Sequence, residues 1–139
     1  MEHESINVTA EKILHELMEK SGASDIVLTT EEGLPCCSVH EHKGLINVEG
    51  TAALLIDTIK SISSLLALQS SDESNDSFTH MNIRTEQGCL IIARSDHFTM
   101  AMKFKGQKAK RAGLSLLGAK KALIQIEELF QLFFLKGEV

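Results

Sequence analysis

Apolar side chains recur at helical spacing near the amino end: Ile13, Leu14, Leu17 and Met18 follow Thr9, a residue type that caps helices, and Ser21-Gly22 interrupts the pattern. This spacing predicts a short amphipathic helix. Ile26-Val27-Leu28-Thr29-Thr30, the turn Glu31-Glu32-Gly33 and the run from Leu34 to Val39 then read as a hairpin. Pro35 has no N–H to give to a ladder, so its strand is expected at a sheet edge.

From about Asn47 to Gln69 the chain is almost uncharged and rich in Ala, Leu, Ile and Ser. On a helical wheel Ala52, Leu55, Ile56, Ile59, Ile62, Ser63 and Leu66 form one apolar stripe, the expected core face. Leu54, Ser61, Leu65 and Leu68 fall nearly opposite, as a second stripe. A monomer of this size has little cover for both faces, so the second stripe is expected to meet a partner.

Ser70 to Ser77 reads as a polar linker. Beyond it, from Phe78 to Thr85, Met81 and Ile83 alternate with His80, Asn82 and Arg84. Glu86-Gln87-Gly88 turns into Cys89 to Arg94, and Phe98, Met100, Met102 and Phe104 alternate with Thr99, Ala101 and Lys103, which predicts a strand with one buried face. The short turns imply an antiparallel meander. Lys105 to Gly113 reads as a basic connector, after which Ala119, Leu123, Ile126, Phe130 and Phe133 share a helical face up to Gly137. The predicted order is αββαβββα, an α+β fold with one five-stranded antiparallel sheet covered by helices.

With 139 residues, the chain has room for a single domain spanning 1–139. No apolar run is expected to reach the ~18 residues of a membrane span, and Met1 to Val8 lacks the basic flank and apolar stretch of a secretory signal. The net charge of −5 and the absence of Trp and Tyr oppose nucleic-acid binding. Three cysteines without CxxC spacing suit a reducing compartment, so a soluble, cytoplasmic protein is expected.

Cys36, Cys37, His40 and His42 come nearest to a metal cluster, since Zn²⁺ accepts sulfur and imidazole. Vicinal cysteines alternate faces in a strand, however, and cannot both address one ion without a bulge; edge-strand cysteine packing with solvated histidines is expected, and no metal. No nucleophile elbow and no GxxxxGK[ST] phosphate loop occurs, so no catalytic residues are assigned. Glu31-Glu32 and Glu127-Glu128 read as a turn and a solvated helix face. Residues 103–121 carry Lys103, Lys105, Lys108, Lys110, Arg111, Lys120 and Lys121 without one acid. Lys108, Lys110 and Arg111 are the candidate partner-binding patch within this run, the alternative being a solvated connector.

The order of elements, with Glu32-Gly33-Leu34-Pro35 at the first hairpin, Ala52-Ala53-Leu54-Leu55 opening the middle helix and Gly113-Leu114-Ser115-Leu116-Leu117 opening the last, resembles the roadblock (dynein light chain) family, including its prokaryotic members associated with small Ras-like GTPases. The resemblance covers about residues 8–135, although Glu32 stands where the family often has Asp and Ala112 where it often has Asn. It implies a roadblock-like sandwich with helices on both faces of the sheet, and a homodimer joined by the middle helices and by edge pairing of the third strands. Leu54, Ser61, Leu65, Leu68, His80 and Asn82 are then the expected dimer interface. The implied function is a non-enzymatic module, without a cofactor, that binds and regulates or scaffolds a Ras-like small GTPase. Two other classes suit such a domain: a small-molecule sensor with Met100, Met102 and Phe104 lining a pocket, and an adaptor of a cytoskeletal or motor-type complex.

Overall fold

The structure, a computed structural model, describes residues 2–42, 47–69 and 78–137, with side chains over 6–42, 47–69 and 78–132. Its elements are α1 (Glu2–Ser21), β1 (Asp25–Thr30), β2 (Pro35–His40), α2 (Val48–Gln69), β3 (His80–Arg84), β4 (Gly88–Arg94), β5 (Phe98–Lys105), a 3₁₀ segment (Gly106–Ser115) and α3 (Leu116–Gly137). The predicted αββαβββα order is present. The five strands form one antiparallel sheet in the order β2-β1-β5-β4-β3, with the Pro35 strand at one edge and β3 at the other. The linker predicted at 70–77 and the side chain of Phe133 lie outside the described residues.

Side-chain alternation assigns the two faces of the sheet. Ile26, Leu28, Cys89, Ile91, Met100, Met102 and Phe104 turn to one side, where they pack with Leu14 and Leu17 of α1 and Leu123 and Ile126 of α3. Complete burial of Leu14, Leu123 and Ile126 contributes about 1.5–3 kcal/mol each. Ile92 and Ala101 turn to the other side and meet Leu55 of α2. Because β5 is the central strand with a helix over each face, Thr99 and Ala101 are buried along with Met100, Met102 and Phe104. The expectation of a single buried face on β5 is thereby corrected. Met100, Met102 and Phe104 are packed core, and neither cleft described below is lined by them.

Three boundaries and one exclusion also differ from expectation. Thr9 lies inside α1 rather than at its cap, because Ile6 and the buried Ala10 carry the apolar spacing upstream to a start at Glu2. The basic connector is helical. Its small residues Ala109, Ala112 and Ser115 are buried at intervals of three, the repeat of a 3₁₀ helix, which lays one narrow face on the domain and leaves the cations outside. β3 is shorter than the run from Phe78 to Thr85, beginning at His80. Finally, α2 is 22 residues long and apolar enough to cross a membrane by length and composition, contrary to the expectation that no segment would be. In this fold α2 instead packs on the sheet through Ala52, Leu55 and Ile59, with Asp57 and Lys60 at mid-helix on its exposed side.

Close approaches explain two glycines. Gly33 turns the first hairpin at φ +93°, a conformation that L side chains rarely adopt. Gly88 starts β4 so close to β5 that a Cβ there would overlap the Phe104 carbonyl oxygen.

Candidate functional site

The outer face of α2 carries the second apolar stripe found in the sequence. While Ala52, Leu55 and Ile59 are buried, Leu54, Leu65 and Leu68 stand 67%, 49% and 84% exposed, with Ser61 and Ser64 exposed among them. Soluble monomers seldom leave such a row of leucines in water. β3 adds a second open feature, for its ladder partner is β4 and its other side is the sheet edge, where strand N–H and C=O groups are available for pairing. On β3, Met81 and Ile83 lie on the α2 side, whereas His80, Asn82 and Arg84 lie on the α3 side, as the alternation predicts. The Asn82 side-chain oxygen accepts a hydrogen bond from the Cys89 thiol at 2.8 Å, and the His80 ring meets the Thr79 hydroxyl at 3.2 Å. The fold thus groups the four α2 residues on one helix face and places His80 and Asn82, both exposed, on the edge strand.

The basic run divides by its 3₁₀ geometry. Residues three apart share a face, so Lys108, Arg111 and Leu114 line up together while Lys110 projects from another side. Lys108, Arg111 and Leu114 line a groove of about 760 Å³ between α1, the 3₁₀ segment and α3, together with Lys20 and Lys121 and, on α1, Glu16 and Glu19. The aliphatic part of Lys108 lies close to Gly22, just beyond the carboxyl end of α1. Sequence spacing alone treated Lys108, Lys110 and Arg111 as one patch; the structure keeps two of them together and adds cations from two helices. Of the other arginines, Arg84 donates to the Ala109 carbonyl at 3.4 Å, and Arg94 donates to the Phe78 carbonyl at 3.3 Å while lying over the Phe78 ring.

The cysteine and histidine candidates separate. β1 and β2 slip register between Leu28, which faces Cys37, and Thr29, which faces Pro35, so Cys36 is the extra residue of a bulge. The bulge that vicinal cysteines would need to share a face is present, and both pack against the core beneath α1. Burial pushes the Cys37 thiol up to about 12, reinforced by Cys36 and by Glu11 of α1, and burial raises Cys36 as well. Both are therefore poor thiolates. His42 is exposed as expected, but the expectation of a solvated His40 is corrected: its side chain is 13% exposed and Nδ1 pairs with Asp25 Oδ1 at 3.0 Å, while Nε2 meets Ser38 Oγ at 2.8 Å. Ser24 Oγ donates to Asp25 Oδ2 at 3.0 Å. Serine, histidine and aspartate here follow the order of a hydrolytic triad, but neither cleft opens onto them, and the chain of contacts ties β1 to the edge strand β2. Among the described residues no group of three His, Cys, Asp or Glu side chains is arranged to hold a metal ion.

A second cleft, of about 670 Å³, lies at the opposite end of the sheet between the β1–β2 and β4–β5 turns and α3. Here Glu127 departs from the solvated helix face expected for it. One of its oxygens accepts from Ser95 Oγ at 2.6 Å and from the His97 backbone N–H at 2.7 Å, and the other meets His97 Nδ1 at 2.8 Å. Partial burial pushes the Glu127 carboxyl up, but these hydrogen bonds outweigh it and hold the group below its ordinary value. The hydrogen bond and the charge of Glu127 in turn raise His97. Nothing in the sequence spacing joins positions 95–97 to 127; the pairing arises from α3 crossing the β4–β5 turn.

No family model matches the sequence, and no curated protein does. Among solved structures, MglB in a tetrameric arrangement superposes with a TM-score of 0.76 at 16% identity, covering 89% of this chain and 89% of that one. Myxococcus xanthus MglB superposes with a TM-score of 0.71 at 17% identity, over 90% of this chain and 94% of that one. A Roadblock/LC7 domain from Streptomyces avermitilis gives 0.52 at 10% identity, over 73% and 86%. Identities this low speak for backbone architecture rather than for shared residues. A five-stranded antiparallel sheet in the order β2-β1-β5-β4-β3, with α1 and α3 over one face and α2 over the other, is the roadblock fold, and it is the fold of this chain.

Proposed function

We propose that the chain is a non-enzymatic roadblock-type module that forms a homodimer and, as a dimer, binds a Ras-like small GTPase in the cytoplasm to regulate or scaffold it. The observation that carries this reading is the exposed Leu54, Leu65 and Leu68 row on α2, in a fold that also leaves the β3 edge open. Two copies packed α2 to α2 cover both rows, with Ser61 at the close approach, and β3 edges bearing His80 and Asn82 pair to join the sheets. The fold shared with MglB and Roadblock/LC7 domains supports the same assignment. A dimer of this kind acts on a GTPase through differential affinity: it shifts the switch segments only as far as it binds one nucleotide state more tightly than the other.

Capture of partners from the source organism with the tagged chain, followed by titration of the recovered GTPase loaded with GDP or a non-hydrolysable GTP analogue, tests the reading. A small GTPase whose affinity differs about tenfold or more between the two states, a free-energy gap of about 1.4 kcal/mol, is the expected result. Recovery of no GTPase, or equal affinity in both states, refutes regulation.

A further inference from the structure

The tip of the first hairpin and the basic groove stand at opposite ends of the sheet. β1 begins beside the α1 terminus at Asp25 and reaches the tip after Thr30, roughly 17–20 Å of extended chain. The tip is fixed by backbone hydrogen bonds: the Thr30 N–H donates to the Leu34 carbonyl at 2.9 Å, the Gly33 N–H to the Thr30 carbonyl at 3.0 Å, the Leu34 N–H to the Thr30 hydroxyl at 3.2 Å, and the Glu31 N–H to the His97 carbonyl of the β4–β5 turn at 3.0 Å. It presents Glu31 and Glu32, both exposed at the mouth of the second cleft, and Leu34, which is 60% exposed. The groove carries an excess of the opposite charge, with four cations against Glu16 and Glu19 of α1. It is concave, with the exposed Leu114 and part of Ile13 offering apolar surface and Lys20, Lys108, Arg111 and Lys121 as its cations.

We infer that this groove receives the hairpin tip of a second copy of the chain, with Leu34 on the apolar surface and Glu31 and Glu32 against the cations. An acidic tip already fixed by hydrogen bonds within the hairpin and to the β4–β5 turn gives up little freedom on docking. The net charge of −5 opposes approach only at longer range, because repulsion is screened within about 10 Å at 0.1 M salt, whereas the docked charges meet at contact distance. Since the two surfaces differ and lie at opposite ends of the molecule, the contact is heterologous and repeats, producing head-to-tail chains of molecules. The outer stripe of α2 and the β3 edge take no part in it, so it holds whether or not the dimer or the GTPase reading does.

Sedimentation velocity on the full chain, over rising concentration at 50 and 500 mM salt and repeated in a Leu65→Glu background, tests the inference. In both backgrounds the average mass is expected to grow with concentration at low salt, with an association constant about tenfold weaker at high salt. Glu31→Lys/Glu32→Lys and Lys108→Glu/Arg111→Glu are each expected to lower self-association by about tenfold or more when alone. An equimolar mixture of the two variants recovers it, because the basic tip of one fits the acidic groove of the other. Zero-length carbodiimide cross-linking of the wild type provides an independent measurement that needs no variant to fold, and is expected to join Glu31 or Glu32 to Lys108 or Lys121. These groups are too far apart within one molecule for such a bond, so the product must be intermolecular. A mass independent of concentration and salt once α2 pairing is removed, a mixture no more associated than its components, or absence of that cross-link overturns the inference.

Discussion

Truncating Leu65 to alanine measures what the outer face of α2 is for. The side chain is 49% exposed in the single chain. Complete burial of a leucine is worth about 1.5–3 kcal/mol, so covering the exposed half contributes about 0.8–1.5 kcal/mol per protomer. Two-fold symmetry counts the loss twice, giving about 1.5–3 kcal/mol per dimer, which weakens the dimer about 10- to 150-fold. Within a protomer the same substitution removes little buried contact, and dilute protein is expected to keep its unfolding free energy to within about 0.5 kcal/mol. Sedimentation equilibrium over micromolar to submillimolar concentrations reads the dimer constant, and urea unfolding of dilute samples reads the protomer. Leu132→Ala is the control, since Leu132 is an exposed leucine on α3, away from the stripe. Leu65→Glu adds an uncompensated carboxylate from each side and is expected to abolish pairing. An unchanged dimer constant in Leu65→Ala, an equal shift in Leu132→Ala, or a wild type that stays monomeric with its hairpin and groove contact disabled refutes the reasoning.

Glu127 and His97 set a pH window. Glu127, held below its ordinary 4.5, contributes stability that is complete above that value and is lost as pH falls through its lower folded value. His97, raised above 6.5, contributes stability that is complete below 6.5 and is lost as pH rises through its higher folded value. The difference in melting temperature between wild type and Glu127→Gln is therefore expected to be greatest between 4.5 and 6.5 and to shrink on either side; a difference independent of pH contradicts the pairing. Gly88→Ala forces a methyl group onto the Phe104 carbonyl and is expected to cost about 1–3 kcal/mol in unfolding free energy by urea titration, against no measurable cost for Gly113→Ala, where the added methyl has only the Asn82 side-chain amide at 4.0 Å. If Gly88→Ala unfolds with the wild-type midpoint, β4 does not approach β5 as closely as described.

Order and kind of the elements were legible in the sequence because they follow local periodicities. The 3.6-residue repeat of the helices, the alternation in the strands and the hairpin signals around Gly33 and Gly88 are all short-range. The two-sided character of α2 was legible for the same reason, and so was the edge position of the Pro35 strand, since a missing N–H is a property of one residue. The helical nature of the basic segment was also written in the chain, as Ala109, Ala112 and Ser115 at intervals of three, a signal masked by the lysines between them.

What the tertiary structure alone decided are the relations between distant segments. That β5 is central, and buried on both faces, depends on β1 pairing with it across some seventy residues of sequence, and no period along a strand reports its place in a sheet. The bulge that turns Cys36 and Cys37 to one side, the Asp25–His40–Ser38 contacts and the grip of Glu127 on Ser95 and His97 are likewise matters of register and helix crossing. Charge follows the same rule. The sequence determined that a basic run exists in an acidic chain, but whether those cations stand together depends on the helical turn beneath them and on the helices packed alongside. By itself the sequence determined which faces of each element are apolar; only the fold decided which of those faces are covered, because covering is a property of pairs of elements and, among the described residues, the leucine row on α2 meets no second element.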